Sequence, residues 1–334
     1  MKAAIFENPN QPWSIREIEK PSPGPNDIVI KIHASGICGT DVHISRGYFP
    51  VPAPLVLGHE PVGEIVEVGS SVTHLRIGDR VGVPWHQQGC GRCKWCLQDQ
   101  PNFCPNIQAT GVSVNGGNAQ YMLAPAKDAM LLPEGISYEQ AAPIFCAGFT
   151  VFSGLKIANP KPGERIAVLG IGGLGHLGIQ FAKALGFWTI AITGTEDKVS
   201  LAKELGADDV VVARENLGEQ LMKQGGADII LATTNSGSQM SESIKGLLPD
   251  GRLIVMGITD SPLQVTSPDL LGMRRRIIGS SQNNRQDLFE ALELVASGKV
   301  KVIEEVYPFD QIQKAYERVE QGTVRFRSVV SFDS

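Results

Sequence analysis

A chain of 334 residues, 42% of them apolar, exceeds what one hydrophobic core usually serves, so two domains are expected. Its formal net charge of −5 argues against a nucleic-acid partner, which needs clustered Lys and Arg to neutralise phosphates. No run of about twenty apolar residues exists to span a bilayer, and MKAAIFENPNQPW lacks a signal peptide's apolar centre, so a cytoplasmic protein off the membrane is expected.

From residue 1 to about 147 the chain reads as β-rich and full of turns. Short alternating runs, Ile28–Ile32 and Val62–Val68, are broken repeatedly by Pro and Gly. Cys38 and His59 fall in this stretch, as Gly36-Ile37-Cys38-Gly39-Thr40-Asp41-Val42-His43 and Gly58-His59-Glu60, and Cys146 closes it. Each alone reads as a buried thiol or a core histidine. Together, two thiolates and one imidazole leave the fourth position of a zinc ion for water or substrate. Between them stands Cys90-x2-Cys93-x2-Cys96-x7-Cys104, with Gly89, Gly91 and Pro101 to let a loop wrap a metal. In a reducing compartment this spacing points to a four-thiolate zinc without an open position, whose binding energy stabilises the fold.

From residue 165 to about 284 the pattern changes to strands alternating with helices: Arg165–Gly170, helix Gly173–Leu185, Trp188–Thr193, helix Asp197–Leu205 and Asp209–Ala213. Strands at Ile229–Thr233, Arg252–Gly257 and Arg276–Ser280 follow, which together predict an α/β, doubly wound parallel sheet. Gly186 and Gly206 close two helices. Gly170, Gly172, Gly173, Leu174 and Gly175 form a GxGxxG loop between the first strand and its helix, the arrangement that seats a dinucleotide diphosphate on a helix N-terminus. About twenty residues on, Thr193 stands where an acid would hold the ribose of NAD. Thr193, Thr195 and Lys198 could bond a 2′-phosphate, which favours NADP, while Glu196 and Asp197 keep NAD as the alternative. The basic run Arg274-Arg275-Arg276 reads as a strand entrance. The last fifty residues, with a helix at Gln311–Val319 and a strand at Arg325–Ser331, are expected to return to the first domain. The predicted domains are therefore 1–147 with 285–334, and 148–284.

These motifs, with Ala141-Ala142-Pro143-Ile144-Phe145-Cys146-Ala147-Gly148-Phe149-Thr150, resemble the zinc-containing medium-chain alcohol dehydrogenases over about Lys2 to Val330, nearest the bacterial and cinnamyl-alcohol-type branch. The resemblance implies a β-rich GroES-like catalytic domain beside a Rossmann sheet, and two zinc ions per subunit. Cys38, His59 and Cys146 would hold the catalytic zinc, with Glu60 as an alternative ligand and Asp41 orienting His59. Thr40 would take the substrate's hydroxyl proton and His43 would pass it to solvent. It further implies that Thr150 touches the nicotinamide, Arg327 the pyrophosphate, and that Trp85 with Tyr48 or Phe49 lines a pocket for a small-molecule alcohol or aldehyde. A homodimer or homotetramer is implied, pairing the edge of the cofactor-domain sheet.

Three other readings compete. A zinc-free quinone or enoyl reductase would have no use for Cys38, His59 and Cys146 together. A zinc-ribbon binding protein would explain only the four-cysteine lobe and would need a basic face. A polyol or amino-alcohol dehydrogenase keeps the zinc and differs only in its pocket, and it stays as the alternative.

Overall fold

Six strands, β1 (Arg165–Leu169), β2 (Trp188–Thr193), β3 (Asp209–Val212), β4 (Ala227–Ala232), β5 (Leu247–Val255) and β6 (Arg276–Gly279), pair in the order β3-β2-β1-β4-β5-β6, every pair parallel. The central strands are apolar on both faces because helices cover both. Ala167, Leu169, Ile190, Ile192, Ile230 and Leu253 share one core cluster. The order reverses between β1 and β4, and at such a switch point ligands bind outside the carboxyl ends of the strands. The computed structural model describes residues 1–334 except Gln88, Asp99, Arg214, Asp260 and Ser334.

The chain divides into two units, Ala147–Lys301, which holds this sheet, and Met1–Cys146 with Val302–Ser334. The return point therefore lies near residue 302, and the expected boundary at 285 is corrected. The helix Arg285–Ala296 belongs to the nucleotide unit because Leu288, Ala291, Leu292 and Val295 bury one of its faces. Its Asp287 accepts a hydrogen bond from Ser153 Oγ at 3.0 Å on the helix Ala147–Ala158. The C-terminal end of that helix is capped in turn by buried Arg252, whose Nε donates to Ala158 O at 2.6 Å and whose guanidinium pairs with Glu164. The basic run is consumed within the fold as well. Arg274 pairs with Asp250, and Arg275 donates to the carbonyls of Leu247, Asp269 and Lys245.

In the other unit, one sheet runs Met130–Leu131, Arg80–Gly82, Pro61–Val68, Asp27–Ile37, Arg327–Ser331 and Glu304–Pro308, with Tyr121–Pro125 also on Asp27–Ile37. Ile28, Ile30, Ile32, Ile65, Val81 and Met122 pack beneath it. The long strand Asp27–Ile37 delivers the chain to Cys38, and its ladder with Pro61–Val68 has its last rung at Ser35 and Pro61. No single helix among the described residues is long and apolar enough to cross a membrane.

Candidate functional site

Cys38 is the N-cap of the short helix Gly39–Ser45, and that placement organises a cluster. Asp41, at the third helical position, accepts from the Cys38 backbone N–H at 2.8 Å and so closes the first turn. Its other oxygen lies 3.4 Å from His59 Nδ1, an electrostatic contact longer than a full hydrogen bond. With Nδ1 facing Asp41, His59 Nε2 is buried without a hydrogen-bond partner among the described residues. The ligand atoms of Cys38, His59, Glu60 and Cys146 lie within 4.8 Å of one another.

The two sulfurs of this cluster are 3.8 Å apart. That is far beyond the 2.05 Å or so of a disulfide. It is the spacing of about 3.8 Å that Zn–S bonds near 2.3 Å give at tetrahedral angles. A fully buried imidazole with an orphaned nitrogen, beside two free thiols at this distance, fits a soft divalent cation. Hydrogen bonding from Cys146, against the pull of burial, and the nearby His59 hold the Cys38 thiol well below its usual range. Burial pulls His59 down, and Asp41 with Cys38 outweighs it, holding the imidazole above its usual value. Glu60, pushed up by burial to about 7 against the attraction of Arg327, stands next to the set with Oε2 unpaired. Its carboxylate enters only because Gly36 has no side chain, since a Cβ there would lie 1.8 Å from Oε2.

Arg327, expected on a pyrophosphate, is bonded to this carboxylate. Its Nη2 donates to Glu60 Oε1 at 2.5 Å and the side chain is buried. The strand Arg327–Ser331 pairs directly with the strand leading to Cys38, which draws the guanidinium inward toward the buried Glu60 carboxylate that neutralises it. Thr40 and His43, three residues apart on the Gly39–Ser45 helix, share a face, and both are partly exposed. The His43 ring is 5.7 Å from Tyr48 and 5.9 Å from Phe49, both exposed, and Trp85 meets the His59 ring edge-on at 5.0 Å.

The four-cysteine lobe closes on itself. Cys93 and Cys96 sulfurs are 3.6 Å apart, Cys90 and Cys96 sulfurs 4.0 Å, and all four ligand atoms, Cys104 included, lie within 4.8 Å. These edges again match a zinc-centred tetrahedron. Gly91, between Cys90 and Cys93, takes φ of +70°, which L side chains rarely adopt.

In the nucleotide unit, β1 is followed by Gly170 at φ +96°, and the helix Gly175–Ala184 begins two residues later than expected, with Leu174 as its N-cap. Thr233 Oγ1, from the end of β4, donates to Leu169 O and Gly170 O and pins the turn. A Cβ at Gly175 would lie 1.8 Å from Gly170 O, whereas one at Gly172 would meet nothing within 4 Å. Gly172 thus leaves a vacant approach to the first N–H groups of the helix, which suits a diphosphate. Gly173 lies between these two positions in the same turn. The buried Thr193 spends its hydroxyl on its own loop, donating to Thr195 O at 3.2 Å and accepting from Thr195 N at 3.3 Å. Lys198 reaches back to Ile171 O of the glycine loop at 3.3 Å, and Thr195 is exposed. Thr150, the fourth residue of the Ala147–Ala158 helix, is partly buried. Gly36 opens the Cys38 motif without a role read from it, and Ser35 and Asn118 carry no motif that singles them out in sequence.

Two family models match the chain: the alcohol dehydrogenase GroES-like domain over residues 24–134 and the zinc-binding dehydrogenase over residues 173–297. An alcohol dehydrogenase of Geobacillus stearothermophilus is 40% identical, the match covering 100% of both chains. Among solved structures, a cinnamyl alcohol dehydrogenase from Sorghum bicolor superposes with a TM-score of 0.91 at 29% identity, covering 99% of this chain and 97% of that one. A cobalt- and zinc-bound thermostable alcohol dehydrogenase from Pyrobaculum aerophilum gives a TM-score of 0.88 at 28% identity, covering 99% of both.

Proposed function

Because the chain belongs to the zinc-containing medium-chain alcohol dehydrogenase family and is an alcohol oxidoreductase acting on small molecules, we propose that it holds two zinc ions per subunit and uses NADP in preference to NAD. The observation that carries the reading is the buried set of Cys38, His59 and Cys146, with sulfurs at tetrahedral spacing and His59 backed by Asp41. Cys90, Cys93, Cys96 and Cys104 would hold the second ion, whose full thiolate set leaves no position for substrate. When bound, the catalytic zinc supplies Lewis-acid polarisation of the substrate oxygen, and the nicotinamide supplies or accepts the hydride.

The protein's own groups do the remainder. Asp41 holds the His59 ring so that Nε2 faces the thiols. Thr40 takes the hydroxyl proton of an alcohol and hands it to His43, one helical turn on and partly exposed, from which it leaves to water. In the reverse direction the same pair returns a proton to the carbonyl oxygen. Trp85, Tyr48 and Phe49 offer apolar surface to an aliphatic or aromatic primary or secondary alcohol. Glu60, bonded to Arg327, places its carboxyl group beside the cluster. The nucleotide rests on the Gly170–Gly175 loop, with Thr150 against the nicotinamide. The end of β2 offers Thr193 in place of a carboxylate, which removes repulsion against a 2′-phosphate, and Lys198 supplies a cation there. We place the enzyme in the cytoplasm as a homodimer or homotetramer.

The test is the kcat/KM ratio for NADPH against NADH with benzaldehyde or cinnamaldehyde as acceptor, alongside metal analysis of the Cys38→Ser variant. An NADPH preference above about tenfold, corresponding to about 1.4 kcal/mol, is expected, with one of two zinc equivalents lost in the variant. An NADH preference would overturn the cofactor assignment. Undiminished turnover in a variant that lacks that zinc would overturn the metal assignment.

A further inference from the structure

Behind His59 lies a pair of buried polar groups outside the chemistry described above. Ser35 and Asn118 are both wholly inaccessible to solvent, and Ser35 Oγ donates to Asn118 Oδ1 at 2.9 Å. Asn118 Nδ2 has no hydrogen-bond partner among the described residues. A dry amide with one end unpaired is costly to keep, and its other contacts offset that cost.

Those contacts converge on the segment before His59. Asn118 N donates to Leu57 O at 3.0 Å, Gly117 N donates to Gly58 O at 2.8 Å, and Asn118 O accepts from Ala4 N at 2.9 Å. Gly58 itself takes φ of +93°, and a Cβ on it would lie 2.4 Å from Asn118 Oδ1. Both residues that precede His59 are therefore fixed by this corner of the chain, one through its carbonyl and one through close steric contact. The side chain of Asn118 meanwhile reaches Ser35, three residues before Cys38. The ladder between the Cys38-bearing and His59-bearing segments stops at Ser35 and Pro61, so both residues lie past its last rung. Beyond that rung the Asn118–Ser35 bond links the two segments, together with the donation from Gly36 N to Glu60 O at 3.3 Å.

We propose that Asn118 is a positioning residue for the metal centre: through Ser35 on one side and Leu57 and Gly58 on the other, it fixes the distance between Cys38 and His59. The proposal rests on the reading of Cys38, His59 and Cys146 as zinc ligands. It adds a residue that touches neither metal nor substrate and acts through the backbone that delivers two of the ligands.

The experiment compares wild type, Asn118→Ala and Ser35→Ala as zinc-loaded full-length chains. Zinc per chain is measured during titration with a chelator, and the visible absorption bands are recorded after cobalt replacement. Two zinc equivalents are expected in every protein before titration. In Asn118→Ala one equivalent should leave at about ten- to a hundredfold lower chelator concentration, the range typical when a group that supports a metal ligand is removed. The equivalent in the four-cysteine lobe should leave as in wild type, which separates a local effect from general loosening. Ser35→Ala should shift the same equivalent in the same direction and by less, and the cobalt bands of that site should move in both variants. Wild-type chelator resistance and unmoved cobalt bands in both variants would overturn the proposal. Should Asn118→Ala fail to fold, Ser35→Ala decides alone, selective loss supporting the role and no change refuting it. A wild-type chain that takes up zinc only in the lobe would overturn the metal reading itself.

Discussion

Gly172 and Gly175 sit three residues apart in one loop, and their surroundings differ in kind. The space beside Gly175 is filled by Gly170 O, so Gly175→Ala must push the turn open and is expected to cost about 2–3 kcal/mol by denaturant unfolding. The space beside Gly172 is empty, so Gly172→Ala should leave stability within about 0.5 kcal/mol of wild type. It should nevertheless weaken dinucleotide binding at least about tenfold, measured by fluorescence titration, since the new methyl group would stand where the diphosphate approaches. Equal binding by Gly172→Ala and wild type would place the diphosphate elsewhere. Glu305 offers a second single-residue test. Burial pushes its carboxyl up, but Arg318, the Tyr307 hydroxyl and the Arg325 N–H together hold it at about 2. The folded value lies below the ordinary glutamate value of about 4.3, so the folded state gains from ionisation. That gain is present above about pH 4 and disappears as pH falls toward 2. Glu305→Gln should therefore show a shallower loss of stability between these limits than wild type in acid unfolding, and parallel curves would remove the ion pair from the account.

At the scale of elements, the four-cysteine lobe has little core of its own. Its helix Lys94–Leu97 and turn Pro101–Phe103 contain no buried residue, and Leu97 and Phe103 face solvent. If the proposed zinc binds there, it would supply much of the lobe's folding energy. Cys104→Ser, or exhaustive chelation, is expected to lower the melting temperature by several degrees and to expose the segment between residues 90 and 104 to proteolysis. An unchanged melting curve with the lobe's zinc gone would show that the loop holds itself. The six strands of the nucleotide sheet were legible in sequence because each is a short apolar run beside a helical pattern. Cys90, Cys93, Cys96 and Cys104 were equally legible, since a short loop must bring such thiols together. Other features were hidden. Nothing in the sequence near Arg285 says whether that helix stays on the nucleotide unit. The answer depends on Asp287 meeting Ser153, two residues 134 positions apart. The Arg327–Glu60 pair was hidden for a similar reason, because strand pairing alone brings the two together. Asn118 carries no chemical signature at all, and its place beside Gly58 follows from loop geometry alone.

For the whole molecule, we propose the open side of β6 as the seam of the oligomer. β6 pairs only with β5 among the described strands, and Ile277, with Leu271 and Met273 close by in sequence, is substantially exposed. Lysine-rich or bulged edges usually guard against such pairing, and this strand carries one arginine and two isoleucines. Sedimentation velocity should show a dimer or tetramer, and Ile277→Lys should shift it toward the monomer with the nucleotide sheet intact. A wild-type monomer at micromolar concentration would dismiss the seam.

The placement of Arg327–Ser331 bears on how such a molecule is made. This strand is an interior strand of its sheet, between Asp27–Ile37 and Glu304–Pro308, although it follows both in the chain. The nucleotide unit is one uninterrupted stretch of chain and can complete its sheet during translation. The metal-bearing unit cannot: until the ribosome has passed Ser331, the strand leading to Cys38 lacks one of its neighbours and Glu60 lacks its arginine. Early in the life of each molecule, then, six cysteines wait in an unfinished domain, and on the proposed metal reading the Cys38 site would load as one of the closing events of biogenesis.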